Sequence, residues 1–133
     1  MTLQKEERQA LINYRIQRSL ESLQEAKTVF ALSLNILAVN RLYYAVFYAC
    51  MSLLISEGIV TSTHAGVRSL ILEKYVKKGP LNKEERRLVA DLFTMQLTED
   101  SGDYFAWSEE DIDPLIPRTE ELINKLISFT EQN

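Results

Sequence analysis

The sequence is poor in the residues that build metal centres, disulfides and tight turns. Its 133 residues include one cysteine, Cys50, and one histidine, His64. A single cysteine excludes an internal disulfide. The pair is also too few for a zinc site of the usual Cys/His types, so neither metal nor cofactor is expected. Glycine numbers four and proline three, well under average usage. That scarcity argues against an all-β sandwich and against a P-loop enzyme, which need glycine for turns and phosphate approach. Catalytic triads, Walker loops and dinucleotide fingerprints are absent. Positive charge is in the minority: a net charge of −4 supplies no global field for nucleic acid, so any such contact must rest on a local patch. The N-terminus, Met1 to Arg8, lacks the apolar core of a secretory signal, and the expected location is the cytoplasm.

What is present is helical patterning. The composition, 46% hydrophobic and 26% charged, is that of a globular chain, and its length suits one domain over residues 1–133. From Leu3 to about Phe30, the residues Ile12, Ile16, Leu20, Leu23 and Phe30 form one apolar stripe, leaving Arg8, Arg15, Glu21 and Glu25 for water. Such a helix would be roughly 40 Å long, longer than a compact domain of this size is wide, and an overhang of this kind suggests a homodimer. Ser33 or Asn35 is placed to cap a second helix that runs to Glu57 and stops at Gly58. Of the twenty residues from Ile36 to Ile55, all but Asn40, Arg41 and Ser52 are hydrophobic. The stretch is long enough to span a bilayer, yet Asn40 and Arg41 within it point to the buried central helix of a bundle and to no membrane association. A third helix is predicted over His64 to Lys78, ended by Gly79-Pro80. A fourth starts in a capping box, Asn82 with Glu85, and runs to about Asp100. A last one carries Leu122, Ile123, Leu126 and Phe129. The fold class is all-α, an up-and-down bundle of four to five helices.

Chemistry concentrates on the second helix. At 100° per residue, Arg41, Tyr44, Tyr48 and Ser52 fall within roughly 80° of one another, with Asn40 at the shoulder. A guanidinium on a core helix cannot shed its charge. It must meet a carboxylate, stacked aromatics, a bound anion or solvent in a cleft. Two readings stay open: an arginine locked structurally by a carboxylate, or a cleft that grips a phosphate or a nucleotide base. His64, at the start of the third helix, is placed to be a neutral acceptor or general base, or a histidine bonded to backbone. Asp103 and Tyr104 could pair with Arg41 or close a loop over the core. The run Glu109 to Asp113 suits a helix N-terminus better than a metal site. Lys74, Lys77, Lys78, Lys83, Arg86 and Arg87 make the densest basic patch, diluted by Glu73, Glu84 and Glu85. Cys50 reads as a small buried hydrophobe.

The run from Ala38 to Cys50, Ala-Val-Asn-Arg-Leu-Tyr-Tyr-Ala-Val-Phe-Tyr-Ala-Cys, resembles the signature helix of the HEPN superfamily. The likeness continues through Leu53-Leu54 before Gly58, Ser62-Thr63-His64-Ala65-Gly66-Val67, and Gly102-Asp103-Tyr104 ahead of an acidic last helix, covering roughly residues 8 to 130. The resemblance implies a homodimeric helical bundle acting beside a minimal nucleotidyltransferase, as the toxin half of a toxin–antitoxin pair. Many members are metal-independent ribonucleases that use an arginine with a histidine five to seven residues later. In this sequence Tyr48 stands at the seventh position after Arg41, and no arginine has a histidine four to seven residues downstream. The resemblance therefore implies a nucleotide- or RNA-binding subunit with Asn40, Arg41, Tyr44, Tyr48, Asp103 and Tyr104 at the ligand. One alternative is an endoribonuclease toxin in which Arg41 acts with Tyr48 or His64. The other is a purely structural interaction subunit.

Overall fold

The computed structural model describes residues 4–61, 63–100 and 107–133. Within these the chain is an all-α bundle, and no strand occurs among the described residues. The helices are α1 (Lys5–Ala31), α2 (Asn35–Ser56), α3 (His64–Ile71), α4 (Lys83–Asp100), the single turn α5 (Glu109–Ile112) and α6 (Leu115–Gln132). The third helix is shorter than its sequence suggests: after Ile71 it widens into a π-helical turn, Leu72–Val76. The turn carries Tyr75 into the core, where it is 1% exposed and its hydroxyl donates to the Glu57 carboxylate at the end of α2. Burial pushes the Tyr75 phenol up, and the neighbouring carboxylate adds to the effect, so it stays protonated.

α2 is the centre of the bundle. By length and composition it could cross a membrane, yet it is the helix that α1, α4 and α6 pack against. Val39, Leu42, Tyr43, Val46, Cys50 and Leu53 are all buried along it, as the apolar run requires. α1 lies against α2 through small residues, Ser19, Ser22 and Ala26, all fully buried, and Ser19 Oγ donates to the Ala45 carbonyl at 2.6 Å. The larger residues of the expected stripe divide. Ile12 and Leu23 are buried, whereas Leu20 stays exposed beside a groove of about 880 Å³ between α1 and the end of α6. Lys27 of α1 reaches Glu120 of α6 at 2.7 Å, and Lys125 of α6 reaches Glu85 of α4 at 2.8 Å.

The helix ends follow local chemistry. Asn82 and Glu85 close a reciprocal capping box, 2.8 and 2.9 Å, as their spacing predicts. The start of α2 differs from expectation. Leu34 holds the cap position with no side-chain bond, because Ser33 is used to end α1 at a φ of 61° and Asn35 donates to the Trp107 carbonyl at 2.9 Å. At the other end of α2, Gly58 N–H bonds to Ile55 and Ile59 N–H to Leu54, both at 2.9 Å, the double bond of a Schellman motif.

Two glycines take left-handed conformations with different surroundings. Gly58, φ 85°, has open space where a Cβ would sit, whereas a Cβ on Gly79, φ 103°, would lie 2.2 Å from the Lys74 carbonyl oxygen. Gly58→Ala should therefore cost about 1 kcal/mol of backbone strain, and Gly79→Ala about 3 kcal/mol. Urea unfolding of the two variants checks the order; equal losses would contradict the close approach at Gly79.

Candidate functional site

The polar seam of α2 is the part of that helix left half-open. Arg41, Tyr44 and Tyr48 lie in line along it, each partly exposed. The Arg41 guanidinium carbon sits 5.2 Å from the Tyr44 ring centroid, and the Tyr44 and Tyr48 rings are 5.8 Å apart. Ser52, expected on the same seam, is fully buried. The end of α6 covers it: Ser52 Oγ donates to the Ala49 carbonyl at 2.7 Å and lies 3.2 Å from Thr130 Oγ1. The seam is thus open for its first two turns and closed thereafter.

Among the described residues no buried carboxylate locks Arg41. Its Nε and Nη2 donate to the Asn40 side-chain oxygen, and Asn40 in turn donates to Gln96 Oε1 of α4 at 3.3 Å. Asn40 is thereby a positioning residue for Arg41. Among the described residues the one carboxylate in reach is Glu25 of α1, 3.5 Å from Nη1 and about half exposed. A neutral amide and an exposed acid leave the guanidinium with charge to offer an anion, and the Tyr44 ring beside it offers a stacking surface.

His64 and Arg68 form a second cluster on the same side. Thr63 caps α3 by accepting from the Gly66 N–H at 3.0 Å, which sets His64 on the first turn. The imidazole stacks on Phe47, 4.3 Å between centroids with planes 12° apart, and stands 6.1 Å from the Tyr44 ring. Its Nε2 is 2.9 Å from the Tyr43 hydroxyl. Arg68 Nη2 donates to that hydroxyl at 3.0 Å and lies 3.3 Å from Nε2. A guanidinium can only donate, so Arg68 offers its protons to the lone pairs of Tyr43 and His64. Tyr44 is shared by the two clusters, its ring centroid 5.2 Å from the Arg41 guanidinium carbon and 6.1 Å from the His64 ring.

The expected residues Asn40, Arg41, Tyr44, Tyr48 and His64 are therefore neighbours, while Asp103 and Tyr104 lie outside the described residues. Sequence reasoning missed three arginines. Arg68 was legible as the residue one helical turn after His64. Arg15 was assigned to water, but it is half-buried, its guanidinium carbon 5.9 Å from the Tyr48 centroid, and its Nε is buried without a partner. Arg18 lies over the same ring at 5.4 Å, and the Tyr48 hydroxyl foremost holds it even further into its charged form. The basic patch near Gly79 is partly spoken for. Lys74 meets Glu57 at 3.9 Å, Lys77 meets Glu73 at 3.3 Å, and Arg86 donates to the Leu81 and Gly79 carbonyls at 2.8 and 3.3 Å. Cys50 is fully buried, and burial pushes its thiol up, as a core hydrophobe requires.

With no buried acid to orphan among the described residues, Arg41→Ala should cost about 1 kcal/mol, the scale of an exposed ion pair plus a cation–π contact. A loss of 3 kcal/mol or more in urea unfolding would instead make Arg41 a structural strut.

The family model described as the HEPN domain matches residues 12–129, which takes in both clusters. A UPF0332 protein of Thermotoga maritima is 34% identical over 124 residues, covering 91% of this chain and 94% of its own. A Methanocaldococcus jannaschii protein named "Putative toxin" is 23% identical over 83% of this chain and 75% of its own, and another of the same name and organism is 30% identical over 72% and 69%. A model that spans the bundle from α1 to α6, together with a relative alike over nearly the whole length, places the chain in the HEPN domain family.

Proposed function

We propose that this HEPN-domain protein is a toxin-type component that binds a nucleotide or RNA on the open seam of α2, at Arg41, Tyr44 and Tyr48. The observation that carries the reading is Arg41 itself, a cation held over an aromatic ring with no buried acid among the described residues to neutralise it. A phosphate would pair with the guanidinium while a base stacks on Tyr44 or Tyr48. The relatives' toxin names support the type of function. The resemblance to HEPN proteins further suggests a cytoplasmic homodimer acting with a minimal nucleotidyltransferase. Leu32, Leu34, Ile36 and Leu37, all exposed at the α1–α2 corner, give a second copy an apolar surface to cover.

A second reading, a metal-independent endoribonuclease, is favoured by one contact, the 3.3 Å approach of Arg68 to His64. His64 would serve as the base for the RNA 2′-hydroxyl and Arg68 would steady the phosphorane. This pairs His64 with an arginine of its own helix, where the sequence offered Arg41 with His64 or Tyr48.

The test is a thermal shift of the full chain with AMP, ATP, GTP and a short RNA, beside Arg41→Ala and an RNA-cleavage gel. A ligand at about 100 times its dissociation constant adds roughly 2.7 kcal/mol, several degrees of midpoint. The expected result is a shift that Arg41→Ala abolishes. Cleavage lost in both His64→Ala and Arg68→Ala would establish the second reading. No shift with any ligand and no cleavage would leave an interaction subunit and overturn both.

A further inference from the structure

Tyr48 is overlaid by more positive charge than packing α1 on α2 requires. Arg15 and Arg18 are one helical turn apart, and both guanidinium carbons lie within 6 Å of its ring centroid, at 5.9 and 5.4 Å. Arg15 also lies 5.4 Å from the centroid of Tyr14. Two like charges sharing one ring repel each other, and an anion near both would offset that repulsion. The acids at hand do not supply one to Arg15. Glu21 is 3.8 Å from Arg18, Glu25 is 3.5 Å from Arg41, and each is about half exposed. Arg15 has no ion pair among the described residues, and its Nε is buried without a hydrogen-bond partner. Arg15 also borders a cavity of about 140 Å³ with apolar walls that include Met51, Leu54 and Val67. Apolar walls screen its charge poorly and strengthen its pull on an anion.

These arginines continue the seam. Arg41 lies over Tyr44, Tyr44 neighbours Tyr48 at 5.8 Å, and Tyr48 carries Arg15 and Arg18. Cations thus flank a pair of rings along one track, an arrangement suited to phosphates with bases stacked beside them. We propose that Arg15 and Arg18, held on Tyr48, form a phosphate subsite one step beyond the nucleotide unit bound at Arg41 and Tyr44. The inference rests on the nucleotide-binding reading and adds the ligand's reach: it carries a further phosphate. That phosphate is either a terminal phosphate of a nucleoside triphosphate or the next phosphodiester of an RNA strand.

The experiment measures binding of AMP, ATP and a short single-stranded RNA to the full chain, with Arg15→Gln/Arg18→Gln beside wild type and Arg41→Ala. Glutamine keeps much of the stem that packs on the rings and removes the charge. AMP affinity should stay within about twofold in the double variant, while ATP or RNA affinity falls at least tenfold, the scale of a charge-assisted bond to phosphate. A fall for ATP alone assigns the terminal phosphates, and a fall for RNA alone assigns the phosphodiester. In the RNA case the slope of log K against log salt should also shrink by about 0.7, one phosphate contact. If the double variant lacks wild-type helicity by circular dichroism, Arg18→Gln alone carries the same comparison. Unchanged ATP and RNA affinity, with AMP binding still lost in Arg41→Ala, would overturn the subsite and leave the nucleotide reading intact. An equal fall for AMP would also overturn it, by placing the arginines in the nucleotide site. A wild-type chain that binds none of the three would overturn the reading and the subsite together.

Discussion

The bundle is organised around a helix that is apolar on nearly every side and yet carries an arginine. Burying Val39, Leu42, Tyr43, Val46 and Leu53 of α2 is the main drive to fold, and it calls helices in from several directions. Burying the Arg41 charge would cost more than one contact returns, because its guanidinium cannot be neutralised. The two demands are met by covering most of α2 beyond its exposed first turn and leaving partly open the side that carries Arg41, Tyr44 and Tyr48. The opening is therefore a consequence of how the core is built. α6 closes it at Ser52, and α1 lines its edge with Glu25, Arg18 and Arg15.

Tyrosine suits this boundary because it has an apolar body and a polar tip. Tyr43 is fully buried, yet its hydroxyl reaches His64 and Arg68. Tyr44 and Tyr48 are half-open and meet cations with their rings. Three tyrosines within six residues thus serve three elements: Tyr43 joins α2 to α3, Tyr44 lies under Arg41 of α2 itself, and Tyr48 meets the arginines of α1. Phe47, facing the same side, can only stack, and His64 lies flat on it. The identity of each ring decides whether the contact it makes is directional or merely close.

The fold was largely legible in the sequence, and the site was half legible. Periodicity, Gly58, the Asn82–Glu85 box and the apolar run of α2 set the helix order, because each is a local signal read within one or two turns. The π-helical turn at Leu72–Val76 was not legible. Its cause is tertiary, the burial of Tyr75 against Glu57. The packing face of α1 was misplaced for a related reason: hydrophobicity marks Ile16 and Leu20, but close helix approach favours Ser19, Ser22 and Ala26. That error turned Arg15 toward water. Once the small residues are taken as the contact, Arg15 falls at the rim, beside the rings of α2.

Arg68 shows what a search in one direction along the chain overlooks. The family resemblance pairs an arginine with a histidine five to seven residues downstream, and no arginine in this sequence has a histidine at that spacing. The structure instead has the histidine first and the arginine one turn later, on α3, joined through a tyrosine of α2. A helix places residues four apart on one face whichever comes first, so the order of the two is chemically neutral as long as both reach the same point. What differs is the anchor. An arginine on α2 is fixed by the core, whereas His64 and Arg68 sit on an eight-residue helix too short to be stable alone. They hold their places through Phe47 and Tyr43, so the geometry of the second cluster is set from α2 as much as that of the first.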